Sequence, residues 1–370
     1  FGRAAATVAA RMIDPTVVHA HDWHAAAAVI SARADNSISA GFNRALLAFT
    51  IHNMAFQGLS DASEFGLLGI DRKYLSTECL EFFGKMNLMK GAIALADAVS
   101  TVSPAYAREI SSGPEHGFGL EGVLAAKGEN FTGILNGADY EDWDPAHDRD
   151  IAAAYSRTSP AGKRACVRAL RAATGLPNRE GTPIAGMVTR MTEQKGMGLL
   201  RDALDELMRL DLQLVLLAAG DSAFEEFFRA AERRYPDKLR TIIDFDEAAA
   251  HRVQAGSDAF LMPSQFEPCG LTQMYAMRYG TIPVVRATGG LRDTVSEFDP
   301  ATGTGTGFMF EEFKAEAMVS ALGRMIAVHR DSAAWRRIMD NCFAADFSWD
   351  RAARQYLDWF ARMRNSHGLD

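Results

Sequence analysis

Four stretches of this sequence carry residues whose types and spacing could do chemistry. The first is His19-Ala20-His21-Asp22-Trp23-His24. Three imidazoles and a carboxylate packed so closely could hold a metal, yet the usual His-x-His-x-Asp-His spacing would need the acid one position later. A second reading makes Asp22 a helix cap with His19 and His24 as packing residues. A third has His21, at the end of a strand, meeting a ligand through its side chain or carbonyl. The second stretch, Thr189 to Gly196, places Arg190 and Lys195 between a strand and a helix, where a planar fork and a point charge could grip a diphosphate. An ordinary solvated loop is the competing reading. The third runs from Pro263 to Gln273 and turns an apolar strand into a helix through Pro268, Cys269 and Gly270. Backbone N–H groups of Gly270, Leu271 and Thr272 at that helix start would attract an anion. Glu267 lies just before them, where a phosphate would repel it, so its partner is better sought among sugar hydroxyls. The fourth is the Gly289-Gly290 turn within Thr288 to Asp293, weak evidence taken alone.

Elements of an α/β fold must position these stretches. The apolar pattern predicts strands at Thr16 to Val18, Leu46 to Ile51 and Ala98 to Val102, with helices at Trp23 to Arg33 and Met86 to Ala96. Ser103-Pro104 supplies an N-cap followed by Pro at the first helical position. After Leu135-Asn136-Gly137 the pattern lapses, and Ala138 to Gly181 reads as an interdomain connection holding one helix near Lys163 to Ala173. Alternation restarts with strands at Ile184 to Thr189, Leu212 to Leu217, Leu239 to Ile243, Ala259 to Met262, Ile282 to Val285 and Gly307 to Phe310. Helices are expected at Gly198 to Leu210, Ala223 to Arg234, Glu247 to Ala255 and Leu271 to Tyr279, giving a doubly wound parallel sheet. Three terminal helices, Lys314 to Val328, Ser332 to Cys342 and Trp349 to Met363, have no following strands. They must cover existing sheet or reach back across the connection. In open α/β sheets ligands bind beyond the carboxyl ends of the strands, which is where all four stretches fall.

Length and composition bound what this chemistry can be. At 370 residues the chain is long enough for two or three domains, at roughly 150 residues each. Its longest strongly apolar run, Leu214 to Ala219, is far short of the ~20 residues that a membrane helix needs. A net charge of −8 gives no basic footprint for nucleic acid, so any anionic ligand must be held by a few local cations. The four cysteines, Cys79, Cys166, Cys269 and Cys342, form no close pair, which argues against a zinc ribbon or a disulfide framework and for a reducing compartment. The Ala-rich start after Phe1 reads as the middle of a helix, with no initiator Met and no signal segment, so the chain is expected to be a fragment.

Taken together and in this order, the stretches resemble the bacterial glycogen and starch synthases. The resemblance also rests on Thr50-Ile51-His52-Asn53-Met54-Ala55-Phe56-Gln57-Gly58, on Thr101 to Ile110 and on Leu135-Asn136-Gly137-Ala138-Asp139-Tyr140. It extends through residues 189 to 196 and 265 to 295 to Asp346-Phe347-Ser348-Trp349, and so covers essentially the whole chain. It implies the GT-B arrangement: two facing Rossmann-like domains with the active site in the cleft between them, divided as 1–135 plus 347–370 and 136–346. The implied activity moves glucose from ADP-glucose to an α-1,4-glucan with retention, without metal or other cofactor, in the bacterial cytoplasm or, as the second choice, a plastid. Residues matching Arg190 and Lys195 would neutralise the departing ADP, and the one matching Glu267 would contact the transferred glucose. His21 would line the glucose pocket and Asn136 would lie close to the sugar. Cys269, Gly270, Leu271, Thr272, Tyr275, Gly289 and Gly290 complete the implied substrate-binding set.

The family's retention is commonly explained by same-face attack, with the phosphate taking the acceptor's proton. The sequence departs from the family at Gln265, usually Arg, and at Phe245, usually an aromatic with a hydroxyl. It also lacks the Lys-x-Gly-Gly-Leu loop of the first strand, so part of the first domain is expected to be missing. An inactive glucan- or nucleotide-binding remnant is therefore the alternative. More distant rivals are a pyridoxal-phosphate phosphorylase, for which no Lys motif is seen, and a metallohydrolase built on the His19 stretch.

Overall fold

The computed structural model describes residues 1–369, which form two compact units. One comprises Phe1–Asn136 and the chain from Asp350 onward, the other Gly137–Trp349.

The first unit opens with α1 (Gly2–Met12), β1 (Val17–His21), α2 (Asp22–Ala34) and β2 (Leu46–Ile51). There follow β3 (Leu59–Asp61), β4 (Glu81–Phe82), β5 (Lys85–Asn87), α3 (Leu88–Leu95) and β6 (Ala98–Thr101). It continues through α4 (Pro104–Ser112), α5 (Pro114–Gly117), α6 (Glu121–Ala125) and β7 (Phe131–Gly133). Its main sheet is parallel in the order β1-β2-β6-β7. All of β2 is buried, as expected of a strand covered on both faces, which is why Leu46 to Ile51 reads as an unbroken apolar run. The start of α4 is fixed as the sequence indicates, with the Ser103 hydroxyl accepting from the Tyr106 amide and Pro104 at the first position. The small antiparallel sheet β3-β5-β4 was not expected, because each strand is only two or three residues long and carries no readable period.

The second unit begins with α7 (Ala161–Thr174), β8 (Ile184–Met191), α8 (Met197–Leu207), β9 (Gln213–Gly220), α9 (Ser222–Arg234) and β10 (Leu239–Ile242). It goes on with α10 (Glu247–Gly256), β11 (Ala259–Met262), α11 (Thr272–Arg278), β12 (Ile282–Arg286) and α12 (Gly289–Thr294). β13 (Phe308–Phe310), α13 (Ala315–His329) and α14 (Ser332–Ala344) complete it. Its sheet is parallel in the order β10-β9-β8-β11-β12-β13. The chain winds outward from β8 in one direction, then returns to place β11 on the other side. The strand order therefore reverses between β8 and β11, the kind of point at which open α/β sheets bind their ligands. One face is filled by Leu200, Leu204, Phe228, Met318 and Leu322 with their neighbours, the other by Val167, Leu170, Val215 and Val253.

Residues 138 to 160, expected to be a connection, belong to this second unit. Trp143 stacks between His251 and Tyr275, with ring centroids 3.8 and 4.4 Å away. Asp144 pairs with Arg278 at 2.7 Å, and the Tyr155 hydroxyl donates to the Tyr279 carbonyl at 2.9 Å. Polar composition suggested a linker, but aromatic stacking and buried hydrogen bonds make the segment a wall of the lobe.

The last helix, α15 (Trp349–Ser366), does reach back. Trp359 and Met363 pack on Leu46, Ala48, Ala98 and Ile134 of the first unit. Among the described residues no helix is long and apolar enough to cross a membrane.

Candidate functional site

In the second unit three strand-to-helix loops are tied to one another at the switch point. After β8 the chain makes a single helical turn, Glu193–Lys195, then bends through Gly196 at φ +77°. A side chain at Gly196 would lie 2.1 Å from the Pro263 carbonyl, so only glycine allows the β8 and β11 loops to approach this closely. The Gln265 amide donates to the Gln194 carbonyl at 2.8 Å, closing the contact. On the other side Gly290 donates its N–H to the Glu267 carbonyl at 3.0 Å, and a Cβ there would meet the Cys269 carbonyl at 2.1 Å. Gly290 thus serves first to let the β12 and β11 loops touch.

This packing brings Lys195 and Glu267 together, 72 positions apart in sequence, with Nζ to Oε2 at 2.6 Å. Both side chains are largely shielded, 19% and 7% exposed. Ser264 donates to the same Oε2 at 3.0 Å. Both hydrogen bonds land on one oxygen, and Oε1 receives none among the described residues. A carboxylate with one oxygen engaged twice keeps the other free to accept a hydrogen bond. Just beyond it the amides of Gly270, Leu271 and Thr272 donate no hydrogen bond among the described residues, with Gly270 at φ +71°. Gln273 supports that turn from beneath, its Nε2 donating to the Cys269 and Gly270 carbonyls at 3.1 and 2.9 Å.

Arg190 is exposed at the carboxyl end of β8, in register with Ala219, and its guanidinium makes no ion pair among the described residues. Tyr275 is not drawn to the Lys195–Glu267 pair by any contact, because its ring is engaged with Trp143. Phe245 is 73% exposed in the loop after β10. The supporting side chains Ser264, Gln194 and Gln273 escaped sequence reasoning. Their only signal was position inside the two loops: Gln194 reaches Phe266 in the other loop, whereas Ser264 and Gln273 bond within their own, and spacing alone does not mark them as supports.

In the first unit His19 and His21 sit at the end of β1. His19 Nε2 is 2.6 Å from the Thr50 hydroxyl, and its ring packs against Phe360 and Tyr356 of α15. Burial, with the neighbouring His21 and His52, pushes its pKa down to about 3. His21 Nδ1 lies 3.0 Å from His52 Nε2, and burial followed by His52 lowers its pKa also.

The expectation that Asp22 caps α2 is corrected. Asp22 is itself the first helical residue at φ +56°, the cap position is His21 with no side-chain bond, and the Asp22 carboxylate instead accepts the His52 amide at 2.8 Å. The carboxylate so bridges the end of β1 to the loop after β2, an alternative to capping its own helix. His24, read as packing, is exposed and stacks on Trp23 at 3.9 Å. Among the described residues no group of three or more His, Cys, Asp or Glu is placed to hold a metal ion. Asn136, half-buried, is the last residue of the first unit before the chain crosses.

Two parallel α/β lobes, with a shielded Lys–Glu pair beside open helix-start amides at a reversal of strand order, fit a glycosyltransferase of the GT-B class. Comparison with known proteins agrees. The family described as Starch synthase catalytic domain matches residues 1–126, and Glycosyl transferases group 1 matches residues 172–337. The glycogen synthase of Anaeromyxobacter sp. is 47% identical over 344 residues, covering 93% of this chain and 72% of that protein. That of Koribacter versatilis is 43% identical, covering 93% and 70%. Among solved structures, the catalytic domain of starch synthase IV from Arabidopsis thaliana, bound to ADP and acarbose, superposes with a TM-score of 0.91 at 35% identity. That match covers 98% of this chain and 76% of that one. Sucrose-phosphate synthase from Thermosynechococcus elongatus, at 18% identity and a TM-score of 0.57, shares the fold. The chain belongs to the glycogen and starch synthase family, whose members join a sugar from a nucleotide-sugar donor to a glucan acceptor.

Proposed function

We propose that this protein transfers glucose from ADP-glucose to the non-reducing end of an α-1,4-glucan, with retention of configuration, in the bacterial cytoplasm. The observation that carries this reading is the Lys195–Glu267 pair at 2.6 Å beside the open amides of residues 270–272. The ADP and acarbose bound to the Arabidopsis relative support the choice of donor and acceptor. The four free, buried cysteines and the bacterial relatives support a reducing compartment.

In this reading Arg190, Lys195 and the amides of residues 270–272 receive the diphosphate, and charge gathers on its β-phosphate as the bond to glucose lengthens. Preorganised donors of this kind stabilise the transition state more than the ground state. Glu267 Oε1 accepts a glucose hydroxyl, while His21 and Asn136 line the sugar's pocket. His21 is neutral at neutral pH, since its pKa lies below the ordinary value, so it can exchange hydrogen bonds with sugar without carrying charge. Glu267 is a poor nucleophile in this setting, because Lys195 and Ser264 already draw on its Oε2. Retention is then assigned to attack on the face that ADP leaves, with the departing phosphate taking the acceptor's proton.

The reading of the chain as an inactive remnant is disfavoured by glycogen synthase relatives that match it along 93% of its length. The deciding experiment is incorporation of labelled glucose into glycogen, comparing ADP-glucose with UDP-glucose. Faster incorporation from ADP-glucose is expected, and a preference for UDP-glucose or no incorporation from either would sink the proposal. A trapped glucosyl ester on Glu267 would overturn the same-face mechanism alone.

A further inference from the structure

The second lobe has a cavity at the opposite end of its sheet from the pair just described. It occupies about 690 Å³ between α7 and α14, and Thr182 and Asp258, which precede β8 and β11, form its floor. Lys195 and Glu267 follow those same strands. The eight residues of β8, at roughly 3.3 Å each, separate the two ends by about 25 Å.

The lining is strongly basic for a protein of net charge −8. Arg164, Arg168 and Arg171 fall at i, i+4 and i+7 on one face of α7, and Arg336 faces them from α14. Arg171 is committed to the Gln213 side chain and the Thr182 carbonyl, and Arg336 to Asp340. Arg164 and Arg168 are exposed, and neither makes a hydrogen bond or ion pair among the described residues. Of the two carboxylates in the wall, Asp258 already accepts the Ile184 amide at 2.9 Å and lies 3.9 Å from His329, while Glu180 is exposed.

Two further residues belong to the wall. His329 lines it and keeps its Nδ1 buried with no hydrogen-bond partner. Trp335 lines the same cavity and meets the His329 ring edge-on at 4.7 Å, providing an aromatic wall. Lys163 lies at the inner end, its Nζ donating to the Thr281 hydroxyl at 2.5 Å and the Gln254 carbonyl at 3.3 Å. Burial pushes its pKa down to about 7, so a nearby anion would draw a proton onto it.

We propose that this cavity is a second ligand site, separate from the donor site, which takes a phosphomonoester attached to a planar ring, as in a nucleoside monophosphate. The unpaired Arg164 and Arg168 hold the phosphate and Trp335 meets the ring. The volume falls within the usual range for small-molecule clefts, ~300–1,000 Å³. Charge alone would accept any anion, but the combination of free guanidinium forks with an aromatic wall selects one that carries a ring.

Equilibrium dialysis of AMP against the full chain tests this, alongside ribose 5-phosphate and adenosine. Two classes of AMP site are expected. R164Q/R168Q, at exposed positions, should weaken one class by about tenfold or more, while ADP remains an unchanged inhibitor of glucosyl transfer. Lys195→Ala should weaken the other class. Trp335→Ala should lower the affinity for AMP without changing that for ribose 5-phosphate. A single class abolished by Lys195→Ala, or a second class unchanged in R164Q/R168Q, would overturn the proposal. So would equal loss of AMP and ribose 5-phosphate in Trp335→Ala, which would leave no role for the ring.

Discussion

The two lobes each gather polar side chains at the carboxyl ends of parallel strands, but hold them in opposite electrostatic states. At the end of β1, burial and the crowding of His19, His21 and His52 disfavour charge on His19 and His21, with His19 driven down to about 3. At the ends of β8 and β11, Lys195 and Glu267 instead form an ion pair at 2.6 Å. The backbones differ in the same way. The first junction is held by a side chain, Asp22 reaching the His52 amide from a left-handed conformation. The second is held by glycines that let main chains touch. The lesson is that strand ends offer a place, and the partner set there decides whether it presents imidazoles that repel one another's charge or an ion pair. A transferase needs both: neutral groups suit sugar hydroxyls, and cations suit a leaving diphosphate.

The comparison breaks most visibly if the charged pair is dispensable. Lys195→Ala strands Glu267 and removes the cation that the proposed mechanism sets at the leaving group, and it should reduce kcat/KM at least about a hundredfold, or ~3 kcal/mol. Glu267→Gln keeps the shape and should fall by a similar factor. Steady-state rates near those of the unaltered protein in either variant would remove the pair from the chemistry.

Next in size are two pH effects, one in each lobe. The folded pKa of His19, about 3, lies below its ordinary 6.5, so the unfolded chain takes the proton first. Stability from neutral His19 is complete above pH 6.5 and is lost as pH falls toward 3. Lys163 is depressed from 10.5 to about 7, so its contribution is complete above pH 10.5 and is lost as pH falls toward 7. Each spans on the order of a few kcal/mol. Denaturant melts across pH should show a rise through the acid window that flattens in His19→Gln, and a rise through the alkaline window that flattens in Lys163→Met. An acid slope left intact by His19→Gln would contradict the assignment to that ring.

Gly290→Ala probes how the second junction is held. A methyl group placed 2.1 Å from the Cys269 carbonyl forces the β11 and β12 loops apart. The cost should be about 1–3 kcal/mol by overpacking, with a loss of activity beyond the loss of stability, because Glu267 moves with its loop. An alanine variant with unchanged melting and turnover would show that the close approach is not required.

Much of this was readable in the residues. Leu46 to Ile51 and Ala259 to Met262 match β2 and β11 to the residue, because fully buried strands leave continuous apolar runs. The placement of Lys195 and Glu267 after strands was readable for the same reason, whereas β8 runs on through Arg190, which was expected just beyond its end. What the pattern could not supply was neighbourhood. That β8 lies beside β11, and so that Lys195 meets Glu267, depends on sheet order, and nothing local encodes it. Ser264 and Gln273 escaped notice because their bonds to Glu267 and to Cys269 and Gly270 depend on how that loop folds back on itself, which residue type and spacing do not reveal. Residues 138–160 misled because their composition is polar while their stability comes from Trp143 filling a gap between His251 and Tyr275. Asp22 misled because Asp at a helix start usually caps, and here its carboxylate instead accepts an amide from the adjoining strand's loop.

Asp22 also provides the smallest and sharpest test of the contrast between the lobes. Two properties are combined there, a left-handed backbone and an acceptor for the His52 amide. Asn tolerates that backbone and retains an acceptor oxygen, so Asp22→Asn should change stability by less than about 0.5 kcal/mol. Ala lacks the acceptor and fits the backbone poorly, so Asp22→Ala should cost ~1–2 kcal/mol. The negative charge does one thing that Asn cannot: it raises the pKa of His21 against the larger effects of burial and His52. Asp22→Asn should therefore lower that pKa further, which histidine ring resonances followed across pH would read directly. If both variants lose the same stability, the charge rather than the hydrogen bond holds the first junction, and the two lobes are more alike than their geometry suggests.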